Sequence, residues 1–139
     1  PLVAAISTVL ALKYDIDIPY AFDRKEAKAH GEGGVFVGAD MADKKVLLVD
    51  DVMTAGTAFF ESQEKLKNIN ASIVGVALSI DRQEKAKDSD ISATKKISQD
   101  FGIPVLAVTN FEEIYEFVKE NLDQQTLTKF KNYREKYGS

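Results

Sequence analysis

Four apolar residues, Val46 to Val49, lead directly into two adjacent aspartates, Asp50 and Asp51. A loop of small residues, Thr54-Ala55-Gly56-Thr57, follows, and then a segment with helical spacing. A short apolar run of this kind fits a strand buried on both faces, as in a parallel sheet covered by helices. In an open α/β sheet, ligands bind beyond the carboxyl ends of the strands. The chain thus places two like charges where such a sheet would meet a ligand.

The rest of the chain repeats the alternation. Residues 2 to 13 read as a helix, with Leu2, Ala5, Ile6, Val9 and Leu10 on its inward face. Short strands are expected over Pro19 to Phe22 and Val35 to Val37, on either side of a basic, glycine-ended mobile loop at 24 to 34. After the strand at 46 to 49 come a helix at 57 to 69 and a second buried strand at 73 to 80. The helix would turn Ala58, Phe59, Ser62, Leu66 and Ile69 inward. A charged loop, DRQEKAKDSD, leads to a helix at 91 to 101, with Ile91, Ile97 and Phe101 inward and Gly102 as its C-cap. A third strand at 104 to 108 precedes a helix at 111 to 122, with Phe111, Ile114, Tyr115 and Val118 inward. A last helix, 124 to 137, carries Leu127, Phe130, Tyr133 and Tyr137. Strands alternating with helices imply parallel pairing and a doubly wound α/β fold.

Composition narrows the function classes. A chain of 139 residues suits one domain, and 45% hydrophobic with 29% charged residues is an ordinary globular balance. With no cysteine and one histidine, His30, neither a disulfide scaffold nor a conventional zinc site is expected. No apolar stretch approaches the roughly 20 residues that span a bilayer, so no membrane partner and a cytoplasmic location are expected. A net charge of −4 argues against non-specific nucleic-acid binding. The chain starts at Pro1 and runs straight into an apolar periodic segment, which leads to the expectation of a single catalytic core within a longer protein.

The loop after the aspartates suits a phosphate. Gly56 and its small neighbours let backbone amides approach a ligand, and the following helix offers unpaired N–H groups and a positive partial charge. Carboxylates need a different task, because they accept hydroxyl protons rather than bind anions. Two of them beside a phosphate cradle would grip the hydroxyls of a ribose 5-phosphate, and one would also serve a magnesium site directly or through water. Two other readings stand beside this one. The aspartates would simply stop a strand and cap a turn. Alternatively, the chain would be a receiver domain, although that fold needs its acidic pair near the start.

VLLVDDVMTAGTA resembles the phosphoribosyl pyrophosphate signature of type I phosphoribosyltransferases. FDRKEAKAHGEGG at 22 to 34, SIDRQE at 79 to 84 and YREKYG at 133 to 138 resemble the orotate phosphoribosyltransferase family, and the likeness runs over essentially the whole chain. The resemblance implies a central, mainly parallel sheet flanked by helices. It also implies a Mg2+-dependent enzyme of pyrimidine biosynthesis that makes orotidine 5′-monophosphate and pyrophosphate from orotate and phosphoribosyl pyrophosphate. By position, Asp50 and Asp51 would hold the ribose hydroxyls. Val52 and Met53 would belong to the same motif, and Thr54, Ala55, Gly56, Thr57 and Ala58 would cradle the 5′-phosphate. Thr54 and Arg82 would lie at orotate, with Arg82 on its carboxylate. Lys25 would contact pyrophosphate in its own subunit, while Arg24, Lys28 and His30 would serve the partner's site in a homodimer. Lys28, His30, Asp50 and Asp51 would be the catalytic set, and magnesium would be held mainly by substrate and water.

The same resemblance implies an N-terminal hood over the base, carrying a lysine and an aromatic pair near orotate and a further lysine just before the position of Pro1. No counterpart to these occurs in the sequence. Because both substrates are anions, Arg24, Lys25, Lys28 and Arg82 are expected to form one basic rim on an acidic molecule. A purine or uracil phosphoribosyltransferase, and a regulator that binds phosphoribosyl pyrophosphate without turnover, remain as alternatives.

Overall fold

A computed structural model of the chain describes residues 2–23 and 35–139. At its centre three strands run parallel in the order β3-β4-β5: β3 (Lys45–Met53), β4 (Ser72–Asp81) and β5 (Val105–Asn110). Helix α2 (Thr57–Lys67) links the first two strands and α3 (Ala93–Phe101) the last two. Leu48, Val76 and Val105 are register partners across the sheet. Together with Met53, Leu78, Phe59 and Ile97 they form the main apolar core between the sheet and these helices. Phe59 is 1% exposed and meets the Phe101 ring edge-on, with centroids 5.0 Å apart.

Local capping groups mark the ends of these elements; only Gly102 among them is expected from the sequence, and α3 begins at Ala93, β5 runs on to Asn110 and the helix after it stops at Val118. Ser92 caps α3 by accepting the Lys95 N–H, and Gly102 closes it in the left-handed conformation at φ 63°. Asn110 ends β5 and opens α4 (Phe111–Val118) with a capping box completed by Glu113. A 3-10 turn, Lys119–Asn121, leads to α5 (Gln124–Tyr137), capped by Asp123. Helices α4 and α5 share an aromatic cluster in which Phe111 and Tyr133 stack at 5.6 Å and 19°.

Several elements depart from the sequence reading. β1 (Ala21–Asp23) and β2 (Phe36–Gly38) form a separate antiparallel pair outside the central parallel sheet. β3 is an edge strand and not buried on both faces: Leu47 is 58% exposed. The same sheet face leaves Leu106 at 69% and Val108 at 87% exposure on β5. Helix α1 (Leu2–Tyr14) forms, but none of its residues is buried. Leu2, Ile6 and Val9 of its expected inward face are exposed, as is Ala5. Apolar residues surround α1 nearly all round, so their spacing does not single out one face. Likewise Ala58 on α2 and Tyr137 on α5 are exposed.

Candidate active site

The strand register brings the site together. Met53 on β3 pairs with Asp81 on β4, and Asp81 pairs with Asn110 on β5, so three carboxyl ends lie side by side. β3 does not stop at Val49. It continues through both aspartates to Met53, with Asp50 opposite Leu78 and Val52 opposite Ile80. Ladder hydrogen bonds use backbone groups, so acidic side chains do not end a strand whose neighbour remains in register.

Successive side chains on a strand point to opposite faces. Asp50 is partly buried and Asp51 is exposed. Both carboxylates fold back on the chain: Asp50 Oδ1 accepts the Asp51 N–H at 2.9 Å, and Asp51 Oδ1 accepts the Val52 N–H at 2.7 Å. Burial raises the Asp50 pKa above the ordinary carboxylate value; the Asp51 N–H hydrogen bond opposes the rise, and the charges of Asp51 and Asp23 add to it. Asp23 closes β1 and accepts from Lys65 Nζ of α2 at 2.7 Å, which ties the small antiparallel sheet to the helix behind the acidic pair.

Asp50 faces a small pocket whose other walls include Val52, Met53, Thr54, Gly56, Thr57 and Ala58. Gly56 stands at the N-cap of α2 with φ +85°, a left-handed conformation that L side chains rarely adopt. A Cβ there would meet Ile97 Cδ1 at 3.2 Å and Phe60 Cε2 at 3.4 Å. The first amides of α2 have no intrahelical acceptor, no side chain among the described residues caps them, and they point with the positive end of the helix toward the loop. Thr54, Ala55, Thr57 and Ala58 are exposed around this end. The arrangement offers amide and hydroxyl donors for an oxyanion next to a carboxylate acceptor.

Arg82 follows the end of β4 and belongs to a closed cluster. Its Nε donates to the Tyr133 hydroxyl at 2.9 Å, and its Nη2 pairs with Glu84 Oε1 at 2.6 Å. Nη2 also donates to the Tyr133 hydroxyl, which itself donates to Glu84 Oε1. Sequence reading missed a second anchor at this edge. Asp81 accepts the Gln83 N–H at 2.8 Å and the hydroxyl of buried Thr94 at 2.9 Å, and Thr94 Oγ1 lies 3.0 Å from the buried Ser92 Oγ. The run DRQEKAKDSD reads as loop by composition, and Ser92, which the sequence reading places inside a helix at 91 to 101, is instead the N-cap of a helix that starts at Ala93.

Arg24, Lys25, Lys28 and His30 lie outside the described residues, so of the expected basic rim only Arg82 falls within them. Among the described residues no group of three or more His, Asp or Glu side chains is arranged to hold a metal ion. Asp50 and Asp51 each have a second carboxylate oxygen that takes no backbone hydrogen bond from another described residue, and the two side chains lie close enough to interact. Hard oxygens in this number suit a magnesium ion that keeps most of its shell from substrate and water.

Known proteins resemble this chain in sequence and in fold. The family model for the phosphoribosyl transferase domain matches residues 1–108. An orotate phosphoribosyltransferase of Dichelobacter nodosus is 47% identical over 138 residues, covering 99% of this chain and 62% of that protein. One from Bifidobacterium adolescentis is 53% identical over 115 residues, 80% of this chain and 50% of its own length. A crystal structure of orotate phosphoribosyltransferase from Francisella tularensis superposes with a TM-score of 0.81 at 78% identity, covering all of this chain and 65% of that one. The chain thus spans less than two thirds of these relatives. Its parallel sheet flanked by helices is a type I phosphoribosyltransferase architecture, and with most of its length inside the matching region the chain belongs to the phosphoribosyl transferase domain family.

Proposed function

We propose that this chain is the catalytic core of an orotate phosphoribosyltransferase, transferring the 5-phosphoribosyl group of phosphoribosyl pyrophosphate to orotate. The observation that carries the reading is the partly buried Asp50 beside the uncapped start of α2 and its Gly56 turn. The names of the relatives support the choice of base.

In this reading the amides and hydroxyls of residues 54 to 58 hold the 5′-phosphate. The free oxygens of Asp50 and Asp51 accept the ribose hydroxyls, which fixes the anomeric carbon over the strand ends. Arg82 takes the orotate carboxylate. A bond forms from N1 of orotate to C1′ as the bond from C1′ to the pyrophosphate oxygen breaks. Pyrophosphate leaves with the electron pair and takes up the proton that N1 loses. The transition state has oxocarbenium character, and ionised Asp50 and Asp51 beside the ribose favour its positive charge. Bound magnesium would neutralise charge on the departing pyrophosphate. Arg24, Lys25, Lys28 and His30 are assigned to the same leaving group, in a homodimer whose 24 to 34 segments complete each other's sites. The family relationship supports that assignment, together with the nearness of Asp23, at the foot of the segment, to Asp50. A cytoplasmic location goes with this chemistry. Among the described residues no helix is long and apolar enough to cross a membrane.

The test is a product assay with phosphoribosyl pyrophosphate, Mg2+ and each of orotate, uracil, adenine and hypoxanthine. The expected result is orotidine 5′-monophosphate from orotate and no nucleotide from the others. Sugar-phosphate binding without turnover of any base would point to a sensor, and turnover of another base would reassign the specificity.

A further inference from the structure

Arg82 and Tyr133 are far apart in sequence, yet the structure joins them firmly. The last turn of α5 is stitched to the segment after β4. Lys85 N donates to Tyr137 O at 2.8 Å, and Ser139 N donates to Gln83 O at 3.0 Å. Glu84 and Gly138 form an isolated antiparallel bridge. Within this seam the Tyr133 hydroxyl accepts from Arg82 Nε and Nη2 and donates to Glu84, whose carboxylate also pairs with Nη2. The guanidinium carbon lies 5.5 Å from the Tyr133 ring centroid. Glu84 is the more buried partner, its side chain 12% exposed against 37% for Arg82.

A guanidinium offers five N–H donors in a rigid plane. Here the Nε and Nη2 edge is taken by the protein, and Nη1 has no hydrogen-bond partner among the described residues. The tyrosine ring has its own packing, stacked on Phe111 at 5.6 Å and tilted against Tyr137 at 5.1 Å. Its hydroxyl is therefore not needed to hold α5 in place. What the hydroxyl does is fix the rotation of a long, otherwise flexible side chain at the carboxyl ends of the strands.

We propose that Tyr133 and Glu84 are positioning residues, which hold one edge of the Arg82 guanidinium so that Nη1 faces the planar carboxylate substrate. The inference rests on the reading of Arg82 given above. It assigns a role in substrate recognition to the C-terminal helix, and it makes that recognition depend on a neutral phenol hydroxyl and a carboxylate that never touch the ligand.

The experiment compares Tyr133→Phe, Glu84→Gln, Arg82→Ala and the two double variants with Arg82→Ala, in the full chain. Orotate KM, phosphoribosyl pyrophosphate KM, kcat and the thermal midpoint are measured for each. In parallel, exchange of the Arg82 Nε–H is followed by 15N NMR, which needs no turnover. Tyr133→Phe keeps the ring and is expected to raise the orotate KM about 10-fold, the scale of one charge-assisted hydrogen bond. The other KM and the thermal midpoint stay unchanged, and the Nε–H exchanges faster. Glu84→Gln shifts orotate KM in the same direction. In the Arg82→Ala background neither substitution adds anything further. If Arg82→Ala leaves orotate KM unchanged, the carboxylate assignment itself falls. If Arg82→Ala raises it while Tyr133→Phe does not, or if the effects are additive, positioning is refuted and the assignment stands.

Discussion

The Asp50 carboxylate accepts the backbone N–H of Asp51 at 2.9 Å, so the more buried acid of the pair is oriented by the amide of its exposed neighbour. One oxygen is committed to the chain, and in the proposed function the other would accept a ligand hydroxyl. Burial raises the Asp50 pKa above its ordinary value of 3.8. The folded state then binds the proton more tightly than the unfolded one. This contribution to stability is present at low pH and is lost as pH rises through the raised value. At neutral pH the ionised carboxylate is a cost to the fold. Asp50→Asn is therefore expected to raise the thermal midpoint slightly, or leave it, at neutral pH while weakening phosphoribosyl pyrophosphate binding about 10-fold or more. Calorimetric titration and thermal unfolding of the same variant measure the two effects.

The same shift sets a pH dependence of binding. In the proposed site the ribose hydroxyls would use the ionised form of Asp50 as acceptor. Affinity for the sugar phosphate is expected to fall, as pH drops, earlier than a side chain titrating at 3.8 would allow. In Asp50→Asn that acid limb should disappear from a plot of affinity against pH.

Gly56→Ala forces a left-handed residue with a Cβ into the space of Ile97 and Phe60. The backbone term alone is about 1–2 kcal/mol. Urea unfolding should show a loss of at least that size, and phosphate-ester binding should weaken, because relief of the strain opens the turn that aims the α2 amides.

Phe59 joins α2 to the sheet from 1% exposure, against Phe60 and Phe101. Phe59→Ala is expected to cost about 3–5 kcal/mol in urea unfolding. A much smaller loss would mean that the helix is not held against the sheet in the way described.

Asp123 caps α5 by accepting the Thr126 N–H at 2.8 Å, and hydrogen bonds to that backbone amide and to the Thr126 hydroxyl hold its pKa below 3.8. A depressed carboxylate stabilises above its unfolded pKa, and the contribution is lost as pH falls through the folded value. Thermal unfolding of Asp123→Ala should therefore fall below that of the parent chain at neutral pH and converge with it in acid.

Local chemistry made much of the architecture legible. The apolar runs marked β3 and β4, Gly102 marked the end of α3, and the bounds of α5 follow from its periodic aromatics. The strand β3 proved longer than its apolar run because its register with β4 depends on backbone groups that the side-chain pattern does not report. Helix α1 was visible as a helix but its inward face was not, since apolar residues lie nearly all round it. At the site, the acidic pair and the Gly56 turn are contiguous in sequence and so could be read together. The Arg82 cluster and the Asp81–Thr94 contact join residues from different elements, and no local spacing encodes them.

The most direct test is a crystal structure of the chain with phosphoribosyl pyrophosphate and Mg2+. The expected result is the 5′-phosphate against the amides of residues 54 to 58, with the ribose hydroxyls on Asp50 and Asp51. A sugar phosphate bound elsewhere, with both carboxylates still turned only onto their own backbone, would contradict the assignment.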